Sequence, residues 1–427
     1  MGSAPGNTKY LFGMLKPHHK MYIAGFLTDF AIMSYLVAMP FFVFRQLGGG
    51  AAMSGTFGAA QGAAYALVCL TSSRFVLRAK NGLNWAVTGL LLNTLFIGLV
   101  PFFRSFWVCG FLGMVGIGGL ALVWPALHSY VGGEPDRDLR SRRMSGFNLA
   151  WSLGFALSPL LAGRLFEIDY RLPFVVTCVL NVTVVLVLRS LPHEHDHHGR
   201  ETAEALEFHA EADRASERFL YSAWLATLMG NFLAQVARTV FPRRVEDLVA
   251  AGELRLLWES APSPELMERA VEKFSVLVFS LSLVSAIVFL VMGHTRFWRH
   301  RPGILFGIQA SAALAFYVLG STQSLVVMAF CFVLVGLNAG FSFFSSVYYS
   351  VSNWQLKHRR TAINEGVVGL GGFTGCLLFG YLAKSYGLSM PFHYTPLMMG
   401  AALVAEGALL RLRKSVAGGR STVGSSQ

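Results

Sequence analysis

Asp29 stands eight residues into an apolar run that opens at Met21. At 1.5 Å per helical residue this is roughly 12 Å deep. In a membrane span, an ionisable group at that depth costs about 2.5–3.5 kcal/mol and marks an ion or substrate path. Asp29 is therefore a candidate for carrying a proton or meeting a cationic group; the alternative is a strut hydrogen-bonded to a neighbouring helix. Asn231 occupies the corresponding place in the second half of the chain, and Gln235 lies one turn further on the same helical face. Arg238, four residues before Pro242, either binds an anionic group or snorkels to the headgroups. Glu365 sits about 6 Å inside a later run, beside Arg359 and Arg360, and can also snorkel. Trp124 and Asn338, with Gln61, Tyr65, His128, Asn148, Trp151, Tyr348 and Tyr349, are polar or amphipathic positions inside apolar runs, some of which must face any cavity. Between the halves, His193, His195, His197 and His198 alternate with Glu194 and Asp196, a donor set suited to Zn, Ni or Fe(II). They lie in a hydrophilic stretch that reads equally as a solvated loop. Gly116-x-Gly118-x-x-Ala121 imitates a dinucleotide fingerprint, but with no strand before it and within a span it binds no nucleotide.

The elements that must position these residues are membrane helices. The chain is 14% charged and 54% hydrophobic, with 35 Phe among 427 residues; a water-facing surface needs about 25% charge. Twelve runs of spanning length are expected, near 21–44, 53–73, 83–102, 105–130, 145–163, 172–190, 218–243, 272–292, 303–320, 324–350, 361–382 and 391–410. The net charge of +12 is a topology signal rather than a nucleic-acid surface. Roughly two thirds of the 35 Lys and Arg fall in the tails and even-numbered loops, among them Arg137, Arg140, Arg296 and Lys357, which places both termini in the cytoplasm. The first run follows Lys16, His18, His19 and Lys20 without a cleavage site and is expected to remain as a helix. The five Cys residues all fall in apolar runs, with no CxxC pair, and read as packing residues.

The chain repeats itself. Asp29-Phe30 and Pro40 match Asn231-Phe232 and Pro242 at one common offset, and Ser73-Arg74-Phe75 matches Thr295-Arg296-Phe297. Arg142-Arg143 through Asn148, Gly154 and Gly163 matches Arg359-Arg360 through Glu365, Gly371 and Gly380. The offset grows by about twenty residues between the first and second matches, locating a charged, helix-prone insertion within 245–273. The expected domains are a cytoplasmic tail, 1–20; a six-helix bundle, 21–190; a linker carrying the His cluster, 191–217; a second six-helix bundle, 218–411; and a tail, 412–427. The fold class is thus an all-α membrane protein of 12 transmembrane helices in two pseudo-symmetric bundles.

This organisation, with Gly116-Ile117-Gly118-Gly119 through Trp124-Pro125-Ala126 and Gly154 through Ser158-Pro159 to Gly163, resembles the major facilitator superfamily over essentially the whole chain outside the tails. The family's signature between helices two and three is reduced to Ser73-Arg74-Phe75-Val76-Leu77-Arg78-Ala79-Lys80, with Leu77 where the acid normally stands. The resemblance implies that helices one, four, seven and ten line a central cavity. It also implies that the loop after helix two meets the start of helix eleven, so that Arg74 or Arg78 would pair with Glu365 as a gate. Iron-handling members occur in magnetosome membranes, and the chain resembles that branch through its His-rich linker.

The expected function is secondary active transport of a small solute by alternating access, with proton coupling through Asp29. The alternatives are transport of iron or another divalent metal, and, from another class, a transport-inactive receptor or a membrane-embedded enzyme. No Gly-Lys-Ser/Thr motif is present and no HExxH motif lies within a span, and neither an enzymatic activity nor a cofactor is expected. The expected partners are a small molecule or ion and the lipid bilayer, with no nucleic acid and a monomeric state. The expected location is a bacterial inner membrane or an organelle membrane such as the magnetosome.

Overall fold

Backbone that crosses lipid must satisfy its own polar groups, which leaves helices or a closed barrel. The computed structural model describes residues 15–76, 82–132, 137–191, 203–257, 268–352 and 357–422, and these are almost wholly helical. The helices are α1 (Pro17–Gln46), α2 (Ala51–Val76), α3 (Gly82–Leu99), α4 (Phe106–Leu120), α5 (Val123–Gly132), α6 (Arg137–Ile168), α7 (Leu172–Arg189), α8 (Ala203–Thr239), α9 (Phe241–Ala250), α10 (Ala270–His294), α11 (Pro302–Ser321), α12 (Leu325–Val351), α13 (Lys357–Tyr386) and α14 (Met390–Thr422). Ten stretches among them are long and apolar enough to cross a membrane; α4 and α5 together make one, Phe106–His128. The remaining two crossings are α2, rich in Gly, Ala, Ser and Thr, and α8, which carries a charged first half.

Three sequence expectations change. Residues 203–217, assigned to the linker, begin α8, because Ala, Glu and Leu there are strong helix formers. The expected tail from 412 continues α14 to Thr422. The matched prolines also part ways: Pro40 lies inside the continuous α1, whereas Pro242 opens the separate short α9. Beyond α9 the chain runs beside the start of α12, where Arg255 N–H donates to Gln323 O at 3.0 Å and Leu325 N–H to Arg255 O at 2.8 Å. Ser263-Pro264-Glu265 lies outside the described residues.

Within the first half α1 packs on α6 and α7, and α4 on α2 and α3; within the second, α8 packs on α12, α13 and α14, and α11 on α12 and α14. The halves meet along two seams, α2 against α13 and α6 against α10. The repeat is visible in contacts. A side chain at Gly154 would collide with the Phe26 carbonyl of α1, and one at the matching Gly371 with the Leu228 carbonyl of α8, so glycine lets each helix pair close at the same place. Phe41, Phe42, Tyr35 and Phe174 fill one bundle, and Phe241, Phe316, Phe379 and Phe392 the other, with large apolar side chains such as Leu67, Trp107, Phe330 and Leu397 turned outward as lipid contact requires. Four Cys residues are buried, Cys178 is half-buried, and all five are free.

Candidate substrate cavity

Between the seams lies a cavity of about 250 Å³. Its walls come from α1 (Asp29, Ile32, Leu36), α2 (Gln61, Gly62, Tyr65), α4 and α5 (Ile117, Leu120, Trp124), and α6 (Trp151, Ser152, Phe155). From the second half come α8 (Asn231, Gln235, Arg238), α10 (Ser282, Ser285, Phe289), α12 (Gly340, Phe343) and α13 (Gly369, Gly372). The four helices implied by the resemblance all contribute, and so do helices two, five, eight and eleven.

Among these described lining residues Asp29 and Arg238 are the charged ones, one on each half. Both are nearly enclosed, at 6% and 8% exposure. The Asp29 carboxylate makes no hydrogen bond or ion pair to any described residue. Arg238 lies over the Phe155 ring, 4.8 Å from its centroid, and its Nε is buried without a partner. The guanidinium thus faces the cavity rather than snorkelling to the headgroups. Asn231 donates to Thr227 O at 3.0 Å, steadying the wall opposite Asp29, and Gln61 donates to Tyr35 Oη at 2.6 Å. Trp124 packs edge-on to Trp151, at 6.1 Å, and Trp151 meets Phe289 across the halves at 5.3 Å.

Asn338 is not brought to this wall. It is fully buried inside the second bundle, where its Oδ1 accepts from Ser342 Oγ at 3.3 Å, while its neighbours Ala339 and Gly340 reach the cavity. Glu365 takes its hydrogen bond from Tyr65 Oη, at 3.0 Å, across the α2/α13 seam. Arg360 pairs with Glu217 at 2.6 Å. The expected partner Arg78 and the four linker imidazoles, His193, His195, His197 and His198, lie outside the described residues, as does the Arg74 side chain. Among the described residues no group of three or more His, Cys, Asp or Glu could hold a metal ion.

Sequence reasoning missed a latch on the face opposite the chain ends. Arg45, at the end of α1, reaches Glu246 of α9 at 2.7 Å and Glu167 of α6 at 3.1 Å. Glu167 also accepts from the Val271 amide that starts α10, at 3.1 Å, so the latch joins the two halves. Its members sit at helix ends far apart in sequence, where single charges look like ordinary headgroup contacts. Ser282, Ser285 and Phe343 were also missed, since small hydroxyls and phenylalanines abound in every span.

By sequence, no curated protein matches the chain. Solved structures do. A POT family transporter in complex with a thioalcohol-conjugated peptide superposes with a TM-score of 0.70 at 11% identity, covering 95% of this chain and 98% of its own. The nucleoside transporter NupG gives 0.69 at 13%, covering 92% and 99%. A bacterial homolog to the human lysosomal transporter Spinster, inward-facing and occupied, gives 0.65 at 14%, covering 97% and 98%. Identities this low carry the fold alone. The sequence pattern of the Major Facilitator Superfamily, however, matches residues 21–250, more than half the chain, and with two six-helix halves closing on one cavity the chain belongs to that family.

Proposed function

We propose that the chain is a secondary active transporter that carries a small anionic solute together with a proton, by alternating access at the cavity between its halves. As a multi-pass member of a transporter family it is not an enzyme. The observation that carries the reading is the two opposite charges, Asp29 on one half and Arg238 on the other, which act on one another across one cavity without closing an ion pair. Two negative groups cannot both be stabilised well by one guanidinium. An anion arriving at Arg238 withdraws that support from the Asp29 carboxylate and favours its taking a proton, and linkage makes the effect reciprocal. The loaded site is then close to neutral, which lowers the cost of rocking the bundles around it. Aromatic walls from Trp124, Trp151, Phe155 and Phe289 suit an apolar or ring-bearing body on the solute. The distribution of Lys and Arg favours both termini in the cytoplasm of a cell whose cytoplasmic membrane holds the protein.

The test is thermal stabilisation of the detergent-purified protein by a panel of organic anions, cations, neutral sugars and divalent metal salts, followed by uptake of the best ligand into proteoliposomes with and without a pH gradient. A ligand that binds the folded state must raise its stability. Organic anions should stabilise the parent and not Arg238→Gln, whereas Asp29→Asn should bind the anion and lose the response of uptake to pH. Stabilisation by cations or metals alone, or unchanged anion binding in Arg238→Gln, would overturn the proposal.

A further inference from the structure

A second acid lies in the C-terminal bundle, away from the cavity. Glu406 of α14 is fully buried, at 0% exposure. It stands six residues before the end of the apolar stretch Met390–Leu412, roughly 9 Å from that end at 1.5 Å per residue. Its Oε2 accepts from Gln309 Nε2 of α11 at 2.8 Å and, more loosely, from Ser222 Oγ of α8 at 3.5 Å. Its Oε1 has no partner, and neither has Gln309 Oε1; both atoms are buried. Two acceptors on facing groups are left without a donor.

No countercharge resolves this among the described residues. Arg218 of α8 turns its Nε to the Leu410 carbonyl, at 3.4 Å, and Arg411 of α14 is exposed. On α13, Arg360 is taken by Glu217 and Glu365 by Tyr65. α11 carries no charged side chain, and its Tyr317 is exposed. An isolated buried carboxylate with a lone pair that no donor meets is costly enough that such groups neutralise instead.

We propose that Glu406 and Gln309 form a proton-binding site. A proton from water on the side of the chain termini forms an O–H bond at Glu406 Oε1, and the group passes from a charge of −1 to neutral. The acceptor becomes a donor. Gln309 Nε2–H then donates to Glu406 Oε2 while Glu406 Oε1–H donates to Gln309 Oε1, and one proton satisfies both orphaned oxygens. The same site touches α8 through Ser222, so the packing of the helix that carries Arg238 depends on whether the proton is present. This site is separate from the cavity, and its standing does not depend on the transported solute.

Glu406→Gln keeps the pattern, because an amide at 406 supplies an N–H donor where the protonated acid has its O–H. The purified full chain is compared with this variant by infrared difference spectroscopy at neutral pH and by thermal unfolding from pH 6 to 9, in sodium chloride and in choline chloride. The parent should lose a protonated-carboxyl stretch on substitution with no loss of carboxylate bands. A group protonated in the folded chain and ionised in the unfolded one makes stability fall as pH rises, so the parent's Tm should drop more steeply with pH than the variant's. Loss of carboxylate bands instead, equal pH slopes, or a variant that fails to fold would overturn the proposal. So would stabilisation of the parent alone by sodium, which would make the occupant a metal ion.

Discussion

The two seams that join the halves differ in what makes the contact. Along α2 and α13 the backbones themselves approach: Gly55, Gly58 and Gly62 face Cys376, Gly380, Gly369 and Phe373, and a side-chain carbon at Gly62 would come 2.7 Å from the Phe373 amide nitrogen. Along α6 and α10 Gly163 also comes close to Ser275 and Val271, but large side chains join the contact, Trp151 on Phe289, and it ends in charges, with Arg164 3.9 Å from Glu272 and the Arg45 latch beside it. Where backbone meets backbone there are no rotamers to rearrange, so that stretch of the first seam slides or pivots as a unit, with the Tyr65–Glu365 bond as its side-chain link. The second can repack, because rings and ion pairs have alternative partners. The cavity thus has one stiffer wall and one more adaptable wall.

The largest expected effect follows from filling the stiff seam. Gly62→Leu forces the helices apart where nothing can yield; overpacking of this kind costs about 1–3 kcal/mol, and uptake should fall by more than tenfold with a lowered Tm. If the variant transports normally, the seam is not stiff. Next comes truncation of the adaptable seam. Phe289→Ala removes a half-buried ring, and we expect a loss of about 1–2 kcal/mol, smaller than the full core penalty for an aromatic, together with uptake of bulkier analogues that the parent rejects. An unchanged substrate range would equalise the two walls. Tyr65→Phe deletes the cross-seam hydrogen bond to Glu365. A hydrogen bond of this kind contributes about 1 kcal/mol, and the variant should show increased labelling of cysteines introduced on the termini side of the cavity. The smallest effect is expected from Arg45→Ala. The pairs are partly exposed, at 33% for the Arg45 side chain, and such pairs contribute about 0.5–1 kcal/mol. Opening of the face away from the termini should rise severalfold at low salt and converge with the parent at high salt.

What could be read in the sequence follows from how rare a residue is in its surroundings. Asp29 stood out as an ionisable group deep in an apolar run, and its match with Asn231 pointed to the same wall of each half, where both now lie beside the cavity. Gly154 and Gly371 matched as positions of the repeat, and in the structure they make equivalent helix contacts. Glu406 escaped notice because it sits near the end of a span, where an acid normally reaches water, and its partner Gln309 lies on a helix nearly a hundred residues earlier. Asn338 misled for the converse reason: polarity within a span shows that a partner exists, not whether that partner is a ligand or Ser342. Arg238 was ambiguous because the rotation of α8 decides whether a long side chain near a span end turns to lipid or inward, and only packing against α12, α13 and α14 sets that rotation.

α8 has a mechanical consequence. It is one unbroken helix of 37 residues, Ala203–Thr239, with Arg238 beside its last residue. At 1.5 Å per residue the rod is roughly 55 Å long. Pivoting it about its middle by only about 5° would carry each end some 2 Å in opposite directions. The helix is a lever arm: a displacement of its first turns at one end is carried to the guanidinium at the other.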